Sequence, residues 1–183
     1  GGITYFYNEK MEDSEIHGVG RSDLRYSFYK SSNVGISKLA NGVFGNNKVG
    51  FADYYYKWNL QKKTGIEIGG EPNPVVKHPS IDKDKWYGTT LPWMSIGYEM
   101  QLTPLQILTF YNSVANDGKM MKPYIVSDIK NDEEIVKSFK PIVVKDSMFS
   151  YNSIRMTKEL LLQVVEEGTA SSIKTEAYSI AGK

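Results

Sequence analysis

The chain has 183 residues, of which 40% are hydrophobic, 13% aromatic and 23% charged, the composition of a globular domain that can bury roughly 70% of its unfolded surface. A net charge of +1, from 22 basic and 21 acidic residues, excludes a strong global attraction to nucleic acid or an anionic membrane. The lack of cysteine excludes disulfides, thiolate metal sites and cysteine nucleophiles, and no apolar run approaches the ~18 residues of a membrane span.

In chain order, Ile3-Thr4-Tyr5-Phe6-Tyr7 is β-branched and aromatic and predicts a short strand. Residues 11–21 are polar and turn-rich, with Gly18 and Gly20 as breaks; this G-x-G lacks a third glycine and reads as a turn. Asp23 is an N-cap for a helix over 24–30. After the polar break Ser31-Ser32-Asn33, the spacing of Val34, Ile36, Leu39, Ala40 and Val43 predicts a second helix, stopped at Gly45. Residues 50–60 read as a third.

From Thr64 to Pro92, glycine and proline interrupt every pattern, with a brief strand predicted at 66–68. Thr103, Pro104 and Gln106 spell a capping box that opens a helix over 104–116. Its expected core stripe is Leu105, Leu108, Tyr111 and Ala115, with Ile107 and Val114 beside it. Residues 124–129 and 135–139 flank an Asn131-Asp132 turn and predict a β-hairpin. A last helix covers 154–167, with Ile154, Leu161, Val164 and Val165 inward and Gly168 as its stop. The run 178–183 alternates as a strand would.

Most candidate chemistry is bland. His17 and His78 fall in loops and read as exposed, so no metal site is expected. Asp82-Lys83-Asp84-Lys85 and Asp132-Glu133-Glu134 read as solvated charge. The run Tyr54-Tyr55-Tyr56 with Trp58 and nearby lysines could stack bases, but consecutive helical residues diverge, so packing is the better reading and no nucleic-acid partner is expected.

One constellation stands out. Ser31-Ser32-Asn33-Val34-Gly35 lies at a helix junction, and Ala181-Gly182-Lys183 lies far downstream. Serine acyl-transfer enzymes of the β-lactamase and penicillin-binding-protein type carry S-x-x-K, then serine–x–asparagine, then K-T-G. Ser31-x-Asn33 fits the second mark, and Lys183 fits the first residue of the third. The string SSNVGISKLA, residues 97–126 (GYEMQLTPLQILTFYNSVANDGKMMKPYIV) and Glu166-Glu167-Gly168-Thr169-Ala170 resemble, in order, the corresponding regions of class B penicillin-binding proteins. The Asn of S-S-N-V-G resembles the septal, division-specific type. Gly97-Tyr98-Glu99 departs from the glycine–x–glycine of many relatives.

The resemblance implies an α+β fold in which helices flank a five-stranded antiparallel sheet. Residues 1–183 would be an incomplete, helix-rich part of it, from the S-x-N region through the Lys of K-T-G. It implies a peptidoglycan D,D-transpeptidase that forms an acyl-serine on stem peptides, is acylated by β-lactams, and uses no cofactor. Ser31 would relay a proton, Asn33 would hold the substrate amide, Lys183 would supply the K-T-G charge, and Ser32 would be structural. It also implies divisome membrane partners and a place outside the cytoplasmic membrane, anchored by an N-terminal helix that this piece lacks. Alternatives are a D,D-carboxypeptidase or β-lactamase-like hydrolase, or a non-catalytic sensor or scaffold.

The nucleophile's S-x-x-K should precede S-x-N by a long segment. Four matches exist, Ser27/Lys30, Ser80/Lys83, Ser127/Lys130 and Ser171/Lys174, where chance predicts about two. The first is too close to Ser31 and the others follow it. All four read as ordinary surface pairs. The expectation is a fragment that is itself inactive, that ends abruptly at Lys183, and that self-associates through surface the missing sheet would cover.

Overall fold

The computed structural model describes residues 2–14 and 18–183. His17 lies outside the described residues. In chain order the elements are β1 (Ile3–Phe6), β2 (Glu9–Glu12), α1 (Leu24–Tyr29), α2 (Asn33–Phe44), α3 (Lys48–Lys57), β3 (Val75–Val76), α4 (Thr90–Met94), β4 (Met100–Gln101), α5 (Pro104–Ala115), β5 (Met120–Met121), β6 (Asp128–Asn131), β7 (Glu134–Ser138), β8 (Val143–Lys145) and α6 (Tyr151–Glu166). The class is α+β. Among the described residues the strands form only two-stranded pairs, β1–β2, β3–β4, β5–β8 and β6–β7. The chain divides into two compact units, one of Gly1–Tyr54, Val76–Met100 and Arg155–Lys183, the other of Tyr55–Val75 and Gln101–Ile154.

In the first unit, β1 and β2 pair antiparallel from Ile3↔Glu12 to Phe6↔Glu9. Only β1 was legible in the sequence. Of Glu9-Lys10-Met11-Glu12 only Met11 is buried, so charge hides the strand. Asp23 caps α1 by accepting from the Tyr26 N–H at 2.8 Å. The buried side of this unit includes Val34, Phe51, Ala52, Leu91, Met94, Leu161, Val164 and Val165. The three α6 residues among them are as expected, although α6 begins at Tyr151. His78, in contrast, is buried. Its Nδ1 accepts from the Ser80 N–H at 3.1 Å, which leaves Nε2 to donate to Asp53 Oδ1 at 3.1 Å. It fastens the irregular segment to α3, a role that its loop position concealed.

In the second unit, the Thr103–Gln106 capping box forms in full, with bonds of 2.8 and 3.1 Å. Trp58, Phe110 and Phe149 pack as a triad with ring centroids 5.6–5.8 Å apart. Tyr55 packs on Trp58, and burial pushes its phenol upward, as packing and not base stacking requires. The strand expected at 66–68 is absent. The Glu71 carboxylate accepts from the Thr64 and Gly65 N–H groups at 2.7 and 3.1 Å and Thr64 Oγ1 from the Ile66 N–H at 3.3 Å, so side chains of a loop satisfy the backbone leading into this segment. The hairpin around Asn131-Asp132 forms as β6 and β7, with a first strand shorter than expected.

The stripe assigned to α5 is largely inverted. Leu108 is 63% exposed and Ile107 45%, while Gln106, Thr109, Ser113 and Val114 are buried. The Thr109 hydroxyl donates to the Leu105 carbonyl at 2.8 Å and the Ser113 hydroxyl to that of Phe110 at 2.6 Å. Small hydroxyls that satisfy themselves on the backbone can therefore line the packed face. Leu108→Ala should cost less than about 1 kcal/mol in urea unfolding, whereas Ser113→Leu should cost roughly 1–3 kcal/mol by overpacking. The reverse order would restore the apolar stripe as the core face.

Candidate active site

Helix α1 ends at Tyr29 and α2 starts at Asn33, and this three-residue junction builds the site. The Ser32 N–H bonds to the Ser27 carbonyl at 2.8 Å and the Ser31 N–H to that of Phe28 at 3.1 Å. This is the paired closure of a Schellman motif, whose left-handed residue is ordinarily glycine. Here that residue is Ser31, with φ +54°. A side chain in this conformation costs about 1 kcal/mol or more, and the fold carries one here that has a hydroxyl.

Ser32 then caps α2, its Oγ accepting from the Gly35 N–H at 2.9 Å and donating to Asp13 at 3.0–3.1 Å. Asp13 Oδ1 also accepts from the Val34 N–H at 2.9 Å, and Asn33 Nδ2 donates to the Glu12 carbonyl at 3.0 Å. The end of β2 is thus clamped to the first turn of α2. The amide of Asn33 keeps a second N–H and a carbonyl oxygen to offer. Gly35 permits the close approach, because a Cβ there would lie 2.3 Å from Ser27 Oγ. Sequence reasoning missed Asp13, since nothing local marks an acid 19 residues before the serine it binds.

Lys183, 152 residues after Ser31, places its Nζ 2.5 Å from Ser31 Oγ and 5.6 Å from the centre of the Phe28 ring. Burial of the ammonium lowers the lysine below its ordinary 10.5. Thr169 Oγ1 lies 3.3 Å from Ser31 Oγ. The structure therefore brings the two motif residues together, with Asn33 on the same junction. The run 178–183 is not a strand. Gly182 N–H bonds to the Leu161 carbonyl at 3.1 Å, an acceptor within helix α6 and not a ladder partner.

Three of the four S-x-x-K matches engage a side chain elsewhere. Ser27 is buried with its Oγ 2.9 Å from that of Ser22, and Lys30 donates to the Glu167 carbonyl at 3.0 Å. Ser127 bonds to Asp128, and Lys174 pairs with Glu166. In Gly97-Tyr98-Glu99 both Gly97 and Glu99 have positive φ, +94° and +61°. A glycine would adopt the second without strain; here Glu99 holds it while paired with Lys77.

The motifs, their order and their convergence in space agree with a family model, penicillin binding protein transpeptidase domain, that matches residues 2–183. The chain belongs to this family. Penicillin-binding protein PbpB of Mycolicibacterium smegmatis is 30% identical over 191 residues, covering 100% of the chain and 27% of its own length. Peptidoglycan D,D-transpeptidase FtsI of Escherichia coli K12 is 26% identical over 169 residues, covering 91% and 27%. The crystal structure of penicillin-binding protein 3 from Mycobacterium tuberculosis, complexed with ampicillin, superposes with a TM-score of 0.81 at 26% identity, over 100% of this chain and 40% of that one. The chain therefore spans about a quarter of the length of these curated relatives.

Replacing Ser31 by glycine should relieve the left-handed conformation and raise stability by about 0.5–1 kcal/mol in urea unfolding, whereas alanine should not. A glycine variant less stable than the alanine variant would contradict the strain. Lys183 should titrate below 10.5 when followed by NMR of its side chain. Between that lowered value and 10.5 the unfolded chain binds more protons, so stability should rise with pH across this window. A titration at or above 10.5 would contradict the burial of the ammonium.

Proposed function

We propose that these 183 residues are the middle of the catalytic domain of a septal-type peptidoglycan D,D-transpeptidase. The supporting observation is the 2.5 Å contact between Ser31 Oγ and Lys183 Nζ, which joins the second and third motifs across 152 residues. In this reading the nucleophilic serine comes from outside residues 1–183. Its Oγ bonds to the carbonyl carbon of the penultimate D-alanine of a stem peptide as the C–N bond to the last D-alanine breaks. The leaving amine takes the proton through Ser31, the acyl-serine forms, and the amine of a neighbouring stem then releases it.

Each residue has a chemical reason for its part. Lys183 supplies positive charge beside the reacting centre, and its lowered proton affinity suits an exchange with Ser31. Asn33 meets the substrate's peptide group with one donor and one acceptor. A β-lactam presents a strained amide to the same serine, and the solved relative bound to ampicillin supports that expectation. No described helix is long and apolar enough to cross a membrane. The proposed place outside the cytoplasmic membrane, with an anchor and divisome partners, belongs to the longer protein.

A longer chain that includes the flanking sequence should be labelled by a fluorescent penicillin, and the isolated 183 residues should not. Asn33→Ala in the longer chain should slow labelling about tenfold or more. Labelling of the 183-residue chain would place the nucleophile at one of its own serines and overturn this reading.

A further inference from the structure

The hydroxyl of Ser31 has two partners, and the family motifs account for only one. Thr169 Oγ1 lies 3.3 Å from Ser31 Oγ, while Lys183 Nζ lies 2.5 Å from it. A charged lysine can only donate. When Lys183 is an ammonium, Ser31 Oγ accepts from it, and the hydrogen of Ser31 needs an acceptor of its own. Thr169 Oγ1 is within reach. When Lys183 is neutral it can accept from Ser31, and the Thr169 hydroxyl can then donate to Ser31. A hydroxyl serves both states, because it donates and accepts.

Thr169 is held there by the chain around it. Its N–H bonds to the Tyr29 carbonyl at 3.1 Å, and the Ala170 N–H bonds to that of Val164 at 3.1 Å. Lys30 Nζ donates to the Glu167 carbonyl at 3.0 Å. Gly168 sits so close that a Cβ would lie 2.3 Å from the Tyr29 oxygen. The turn that ends α6 is therefore fastened to Tyr29 and Lys30, the two residues before Ser31. This gives Glu167-Gly168-Thr169 a purpose beyond stopping a helix.

We propose that Thr169 is a positioning residue for the Ser31 proton relay: it orients the Ser31 hydroxyl in both charge states of Lys183. The proposal rests on the assignment of Ser31 as the relay. Thr169→Val keeps the shape and removes the hydroxyl, and Thr169→Ser keeps the hydroxyl.

In the longer protein, Thr169→Val should slow acylation by a fluorescent penicillin about tenfold and move its pH profile, while Thr169→Ser should stay within about threefold of the parent. In the 183-residue chain, NMR titration of Lys183 should shift lower in the valine variant, because the bonds that run to the ammonium are charge-assisted and their loss costs the charged form more than the neutral one. The serine variant should leave the titration in place. A valine variant with parental rate, pH profile and Lys183 titration would overturn the proposal, as would valine and serine variants equally impaired. If the longer parent itself is not labelled, the transpeptidase reading fails, and the Lys183 titration alone decides whether Thr169 orients Ser31.

Discussion

The contact between Ser31 Oγ and Lys183 Nζ sets demands on the rest of the first unit. The two residues are 152 positions apart, so closing them together carries a large entropic cost that packing must offset. The fold meets it from both ends. The Schellman closure of α1 and the Ser32 cap of α2 fix Ser31. The bond from Gly182 to the Leu161 carbonyl of α6 and the face of Phe28 bring Lys183 to it. Strain is accepted at the left-handed backbone of Ser31, where a glycine would serve folding better.

The clamp from β2 shows how a short hairpin with little core of its own becomes useful. Asp13 takes up the Ser32 hydroxyl and the Val34 N–H, so an exposed strand pair ends at a helix N-terminus whose free N–H groups favour a carboxylate. Asn33 is held to the same strand through Glu12. Ser32, Asn33 and Asp13 each have a structural partner at this junction, and the proposed relay uses the Ser31 hydroxyl that these bonds leave over. Chemistry of this kind needs donors that are placed before substrate arrives.

Much of this was legible because it is local. Asp23 and the Thr103–Gln106 box announce helix starts within three or four residues, and the buried positions of the later part of α6 follow the helical period. Ser31, Asn33 and Lys183 stand out through motif order, and the structure brings Ser31 and Lys183 into contact. What was hidden depends on distant partners. His78 is buried because Asp53, 25 residues earlier, accepts from it. The polar face of α5 is inward because Thr109 and Ser113 satisfy themselves on their own helix, which no hydrophobic pattern reveals. Residues 178–183 alternate like a strand, yet a strand needs a neighbour to bond with, and the described residues supply a single carbonyl of helix α6 instead. Asp13 and Thr169 carry no sequence mark that separates them from other surface acids and hydroxyls.

The central claim is that Ser31 and Lys183 form one relay beside an acylated serine that comes from outside these residues. The most direct measurement is a crystal structure of the longer protein after reaction with a β-lactam. The account predicts an acyl group on a serine outside residues 1–183, with Ser31 Oγ and Lys183 Nζ still in contact and the Ser31 hydroxyl within about 3 Å of the acylated oxygen or the former ring nitrogen. An acyl group on Ser27, Ser80, Ser127 or Ser171, or one remote from a separated Ser31 and Lys183, would contradict it.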